Sequence, residues 1–375
     1  MNLNVIRKKF PIVNSKVFLN HAETSPLPRP SIEAIMKCIE RLSFHGEHSI
    51  NLKEGRALFA RLLNAKEDEI AIIPNTSTGL NIVANMLEYP RGSNIVTTDL
   101  EYPAVVYPWL RRKLKVEVRY AQSVNGFIEL NEFEKMIDDD TVAVTISHVE
   151  YTNGFRNNLR AIAETAHEHG AFLIVDAIQS VGALNVNVKE CNVDFLATSS
   201  YKWLLAPSGM GFMYIRRDLT EKFEPTFVGC AGVKEEIFKS VNLWNNRELL
   251  LVDEARRFEV SEPSVLSYVG TVASVRMILN FGLEWIEKRV LKLTGNLIEE
   301  LKELNVDLQT PEEEDFRAGI VNFKVKDPDK IVNKLRDDNV IVSARGNGLR
   351  ISPHFYNSYG EIEKLIDSLK KLLRY

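Results

Sequence analysis

The stretch AFLIVDAIQSVGAL (171–184), followed by VDFLATSSYKWLLAPSGMGFMYIRR (193–217), decides the fold. Its apolar runs are continuous rather than alternating, which is how strands buried on both faces read. Asp176 closes the first run, at the carboxyl end where open α/β sheets place ligand-binding groups. Lys202 comes 26 residues later in Ser-Ser-Tyr-Lys, just past a second run. Pro207, Gly209 and Gly211 then mark a tight turn feeding a third run, GFMYIR (211–216).

Outward from this stretch, EIAIIP (69–74), SNIVTT (93–98), VEVRYA (116–121) and TVAVTIS (141–147) read as further strands. Helical patterns fall between them. Ser31 to Phe44 places Ile35, Cys38, Ile39 and Leu42 on one face, and Arg160 to His169 ends at a capping Gly170. Alternating strands and helices predict an α/β class with a large, mostly parallel, seven-stranded sheet. From Ser264 the pattern changes to one long helix, Val265 to about Glu303, and an acidic loop, TPEEEDF (310–316). A strand at 318–325, a helix after Pro328, short strands near IVSA and GLRIS and a last helix to Leu373 predict a small α+β domain. The expected division is an N-terminal arm (1–17), a large domain (18–255) and a small C-terminal domain (256–375). The acidic runs at 138–140 and 312–315 read as solvated turns.

Composition bounds the function. The 375 residues are 45% hydrophobic and 26% charged, an ordinary globular balance. Lys+Arg 47 against Asp+Glu 51 leaves no basic excess for nucleic acid. No apolar run nears the roughly 18 residues of a membrane span, and the basic start lacks the apolar stretch of a secretory signal. Cys38, Cys191 and Cys230 form no C-x-x-C pair, which speaks against a disulfide framework or a cysteine zinc site. A cytoplasmic enzyme without metal, nucleic-acid or membrane partners is expected.

An acid on one strand end and a lysine on a neighbouring loop suit a pyridoxal phosphate site. The lysine forms the Schiff base, and the carboxylate keeps the pyridinium nitrogen protonated. Alone, the same spacing is also met by an Asp that caps a helix and a surface lysine. Asn75-Thr76-Ser77-Thr78-Gly79, between a strand and a helix, offers hydroxyls and N–H groups to a phosphate, though ordinary capping uses the same residue types.

The combination is more specific. FLNHAETSPLP (18–28), NTSTGLNIVA (75–84), LEYPAVVYPW (100–109), SHVEYTNGFR (147–156), VDAIQSVGAL (175–184), SSYKW (199–203), RRFEVSEPS (256–264) and GLRISPHFYNS (348–358) follow one another in order. From about residue 18 to the C-terminus the chain resembles the class V aminotransferase family of fold-type I pyridoxal phosphate enzymes. That family includes cysteine desulfurases, kynureninases, isopenicillin N epimerase-like proteins and cystine C–S lyases. The resemblance implies pyridoxal 5'-phosphate as cofactor, an amino acid as substrate and a homodimer. It makes Lys202 the Schiff-base lysine and proton shuttle, Asp176 the partner of the pyridinium nitrogen and Gln179 that of the ring hydroxyl. Thr76, Ser77 and Ser199 match phosphate contacts, and Arg350 matches the arginine that grips the substrate α-carboxylate. A guanidinium suits that role because its planar fork bonds a carboxylate twice and stays charged.

Several positions depart from the desulfurase pattern. Tyr102 stands where that branch stacks a His on the cofactor ring, so a stacking face is kept and an imidazole lost. Tyr201 replaces the His before the lysine and still offers a phosphate bond. Tyr151 takes the usual Asn position with Asn153 close by, and either can reach the cofactor. Glu262 stands where many members have a phosphate-binding Thr, and a carboxylate there repels phosphate, so it is left out of the site. The stretch VIVSARGNGLR (340–350) lacks the nucleophilic Cys of desulfurases. Cys38 reads as core. Cys230, in a glycine-flanked loop, is the one cysteine able to approach a site. His45 and His48 form an H-x-x-H pair with no third ligand in view. The expected activity is aminotransferase-type chemistry at the α-carbon of an amino acid; alternatives are a cysteine or cystine C–S lyase or an epimerase, and a non-catalytic scaffold is less favoured.

Overall fold

Each of the seven apolar runs forms a strand of a single sheet. In the computed structural model, which describes residues 2–47, 50–234 and 247–373, a short β1 (Val17–Phe18) precedes them. The seven are β2 (Ile70–Ile73), β3 (Asn94–Thr98), β4 (Glu117–Ala121), β5 (Thr141–Ser147), β6 (Phe172–Asp176), β7 (Phe195–Ser199) and β8 (Gly211–Ile215). Their order is β2-β8-β7-β6-β5-β3-β4, parallel throughout except for β8, which runs against both neighbours. Helices cover both faces, as a parallel sheet requires. The alternation within one strand shows this directly: Leu173 and Val175 enter one core, whereas Ile174 enters the other. β4, at the edge, carries the charged Glu117 and Arg119, which blunts an open strand edge.

The long helix predicted from Val265 is two helices, Val265–Phe281 and Leu283–Glu303. Gly282, at φ +85, separates them, and the axes bend by 83°. Glycine reaches that positive φ without the steric cost other residues meet. The first helix lies against Arg29–His45, and Gly270 makes the approach close: a Cβ there would stand 2.8 Å from Ile35 Cδ1. Only one side of Arg29–His45 is covered in this way. Ser31 and Cys38 are buried, but Ile39 and Leu42 stand outward with Ile32, Met36 and Phe44, so the predicted apolar face is divided.

The last third adds β9 (Val321–Lys324), β10 (Val340–Ile341), β11 (Ser343–Arg345) and β12 (Gly348–Ile351). β9, β11 and β12 form an antiparallel sheet in the order β11-β12-β9. Its separate core draws Leu297, Phe323, Leu349 and Leu365 together with Val17 and Leu19. The N-terminal segment is tied in by parallel pairing of β1 with β10 and by an Arg7–Glu361 ion pair at 2.7 Å. Tyr268, Val272 and Ile278 of the first of the two helices pack in the large core.

Candidate active site

Three strand ends and one hairpin build the site. β6 ends on Asp176, whose carboxylate accepts the Ile178 N–H at 2.8 Å. β7 ends on Ser199, and the next loop is closed by Ser200, whose hydroxyl donates to the carbonyls of Pro207 (2.6 Å) and Met210 (2.9 Å). Lys202 sits in that loop, and its carbonyl accepts the Ser25 hydroxyl at 2.5 Å. After β2, Asn75 caps the helix Thr76–Met86 by accepting the Thr78 N–H at 2.9 Å. The Thr76 hydroxyl lies 2.8 Å from that of Ser199, joining the helix start to the lysine loop.

Gln179 is positioned by two partners: its amide donates to Ala22 O at 3.0 Å and its carbonyl accepts the Trp203 indole at 2.9 Å. That brings the turn after β6 against the lysine loop. Gly182, at φ +102, permits the approach, since a Cβ would lie 2.4 Å from Trp203 O. From the other side comes the hairpin of β11 and β12. Arg350 is 2% exposed, with Nη1 donating to Tyr151 O at 2.7 Å and Nε to the Ser343 hydroxyl at 3.3 Å. Its Nη2 is buried and has no partner among the described residues.

All nine residues named from the sequence line one cleft of about 570 Å³. Thr76, Ser77 and Ser199 bring hydroxyls, Asp176 and Gln179 the polar groups after β6, and Tyr102 and Tyr201 two phenol rings. Of Tyr151 and Asn153, Tyr151 lines the cleft, its ring meeting that of Tyr102 edge-on at 5.2 Å. Asn153 is spent on structure, donating to Gly126 O and accepting the Phe155 N–H. Glu23 and Arg345 also line the cleft and were not singled out from the sequence, although both lie within quoted stretches. Glu262 and Cys230 lie together in a different groove, beside Arg256. Cys38 is buried and Cys191 half-buried, so no cysteine lines the cleft. His45 ends its helix exposed, and His48 lies outside the described residues.

Burial shapes the charges here. Desolvation pulls the Lys202 ammonium down to about 8, and Arg350 and Arg345 push the same way while Asp176 and Glu23 oppose them. Burial raises the Asp176 carboxyl to about 6 against the pull of the Ile178 N–H and the Lys202 charge. Arg350 is lowered by burial to about 10 and therefore stays charged at neutrality. An amine attacks an aldehyde only in its neutral form, and a lowered pKa makes that form available at lower pH. Uptake of pyridoxal phosphate by the cofactor-free protein, followed by visible absorbance, is expected to reach half its maximal rate near pH 8. A rate that rises only above pH 10 would show an ordinary solvated lysine.

A half-buried amine, a buried carboxylate and hydroxyls at a helix start fit the aldehyde, ring nitrogen and phosphate of one cofactor. With the sheet order, they define a fold-type I pyridoxal phosphate enzyme. The model of the class-V aminotransferase family matches residues 17–365, and the chain belongs to that family. Its cofactor is pyridoxal 5'-phosphate. Among similar proteins, a probable cysteine desulfurase of Pyrococcus abyssi is 30% identical over 398 residues, covering 98% of this chain and 97% of the relative. An uncharacterized aminotransferase of Bacillus subtilis is 29% identical over 367 residues, covering 97% and 96%. The solved apo structure of a cysteine desulfurase from Thermococcus onnurineus superposes with a TM-score of 0.88 at 29% identity, covering 99% of this chain and 98% of that one.

Proposed function

We propose that this enzyme transfers the amino group of an α-amino acid, with Lys202 moving the proton at the α-carbon. The observation that carries the reading is a half-buried lysine of lowered pKa in the same cleft as Asp176 and the Nη2 of Arg350, which has no partner among the described residues. Arg350 holds the α-carboxylate, which fixes the α-carbon relative to Lys202. The neutral Lys202 amine then takes the α-proton as a general base and returns it as an ammonium. Pyridoxal phosphate, when bound, supplies an electron sink for the charge left at that carbon, and Asp176 supports it by pairing with the ring nitrogen. Thr76, Ser77 and Ser199 hold the phosphate, Gln179 the ring hydroxyl, and Tyr102 faces the ring.

A second reading, C–S cleavage without a cysteine nucleophile, is supported by the hairpin. β11 and β12 are joined by Gly346 and Asn347 alone, with Arg345 opposite Gly348, so no loop bearing a cysteine fits there. A homodimer is part of the proposal, supported by the outward apolar row Ile32, Met36, Ile39 and Phe44. Light scattering is expected to give twice the mass of one chain.

The test is an absorbance titration of the loaded enzyme with alanine, aspartate, glutamate, cysteine and cystine, with pyruvate and sulfide assayed alongside. Absorbance lost with an amino acid and restored only by a keto acid means amino-group transfer. Absorbance that persists while pyruvate and a sulfur product accumulate means C–S cleavage. If no amino acid changes the spectrum and Lys202→Ala leaves it unaltered, the reading fails.

A further inference from the structure

Glu23 and Arg345 line the cleft beside Lys202 and have no part in the roles above. They come from distant parts of the chain, Glu23 from the turn after β1 and Arg345 from the end of β11. Arg345 Nη2 donates to Glu23 Oε1 at 3.0 Å, and Nη1 donates to the Ala344 carbonyl at 2.9 Å. The second Glu23 oxygen accepts the Asn20 amide at 2.6 Å. Each carboxylate oxygen therefore keeps a free lone pair, and the guanidinium keeps donors beyond the two it uses.

The register places this pair relative to the α-carboxylate. Ser343 stands opposite Arg350 and Arg345 opposite Gly348, so both arginines project from the same face of the hairpin. Such diagonal neighbours are about 7–8 Å apart at their Cα atoms. A substrate whose carboxylate sits on Arg350 therefore has a side chain several atoms long to run before it meets Arg345.

What it meets there is an assembled pair of opposite charges. An anionic end group would gain Arg345 but face the Glu23 carboxylate. A cationic one would gain Glu23 but face Arg345. Juxtaposed like charges are strongly discriminated against in recognition sites. A group carrying both signs satisfies both residues with neither displaced.

We propose that the Glu23–Arg345 pair reads the substrate side chain and selects a distal zwitterion, an amino acid that carries a second ammonium–carboxylate head. This rests on the reading that an α-amino acid occupies the cleft, but not on which reaction follows. Glu23 accepts from the distal ammonium, Arg345 donates to the distal carboxylate, and Arg350 keeps the reacting one.

The experiment uses the full chain loaded with pyridoxal phosphate in the Lys202→Ala background, so that binding is read by spectral titration without turnover. The probes are L-cystathionine and L-cystine (zwitterionic end), L-glutamate (anionic), L-ornithine (cationic) and L-alanine (no end group). The two zwitterionic probes are expected to bind at least about tenfold more tightly than the others. Glu23→Gln should shift preference about tenfold toward glutamate over ornithine, and Arg345→Gln about tenfold the other way. The same ranking is expected for kcat/KM with Lys202 intact, and melting curves check that each variant folds. A singly charged or uncharged probe that binds best overturns the proposal. So does a parallel loss for every probe in both variants, which would make the pair a brace between the N-terminal turn and the hairpin. If no amino acid changes the spectrum of either background, the amino-acid reading fails and this proposal with it; the first two results fail this proposal alone.

Discussion

Lys202→Ala is expected to lower turnover by about 10⁴-fold while leaving the protein folded. The size follows from the amount of chemistry placed on one atom. Lys202 is half-buried, and its desolvation-lowered pKa keeps a usable fraction of neutral amine near pH 8, so it is a base poised for proton transfer at that pH. Among the described residues no histidine lines the cleft to take over, and the other polar side chains there are hydroxyls, carboxylates, two amides, phenols and arginines. Melting should change by only a few degrees. Removing the ammonium relieves its desolvation, but leaves Asp176 without a cation that stabilises its charged form. High concentrations of a small primary amine are expected to restore part of the activity, because the cavity left by the side chain admits an external base. Retention of more than about a tenth of wild-type turnover would move the proton transfer to another group.

Arg350→Gln should raise KM by about 10²- to 10³-fold, with a smaller change in kcat. The guanidinium is already held: Tyr151 O and the Ser343 hydroxyl fix two of its nitrogens and leave Nη2 buried without a partner among the described residues. A substrate carboxylate would therefore meet a charged donor whose side-chain freedom is already lost. A glutamine keeps polarity but offers neither charge nor fork. Arg350→Lys should fall between the two, because an ammonium restores the charge without the bidentate geometry. The loss should be similar for every amino acid tested, which separates Arg350 from the Glu23–Arg345 pair. An unchanged KM in Arg350→Gln would mean that the substrate carboxylate binds elsewhere.

How far the site was legible depended on sequence distance. Asp176 closes one continuous apolar run and Lys202 follows shortly after another, and a strand buried on both faces announces its own end when polar residues appear. Thr76, Ser77 and Ser199 were legible as small hydroxyl residues at a strand-to-helix turn and a strand end. Arg350 rested on the motif around it. The Glu23–Arg345 pair was not legible, because its members lie 322 residues apart and surface-type residues give no local sign of their partners.

The sequence alone determined the seven strands, the α/β class and the acid–lysine pair, since burial on both faces and strand ends leave local signatures in residue order. Tertiary structure decided the rest. It broke the helix predicted from Val265 at Gly282, because a single glycine in a helical pattern is tolerated or bent according to what packs around it. It turned Ile39 and Leu42 outward, because periodicity marks an apolar face but not the width of the seam that covers it. It put Tyr151 rather than Asn153 in the wall of the cleft and brought Glu23 to Arg345, because which of two near neighbours faces a cleft depends on backbone placed by contacts distant in sequence.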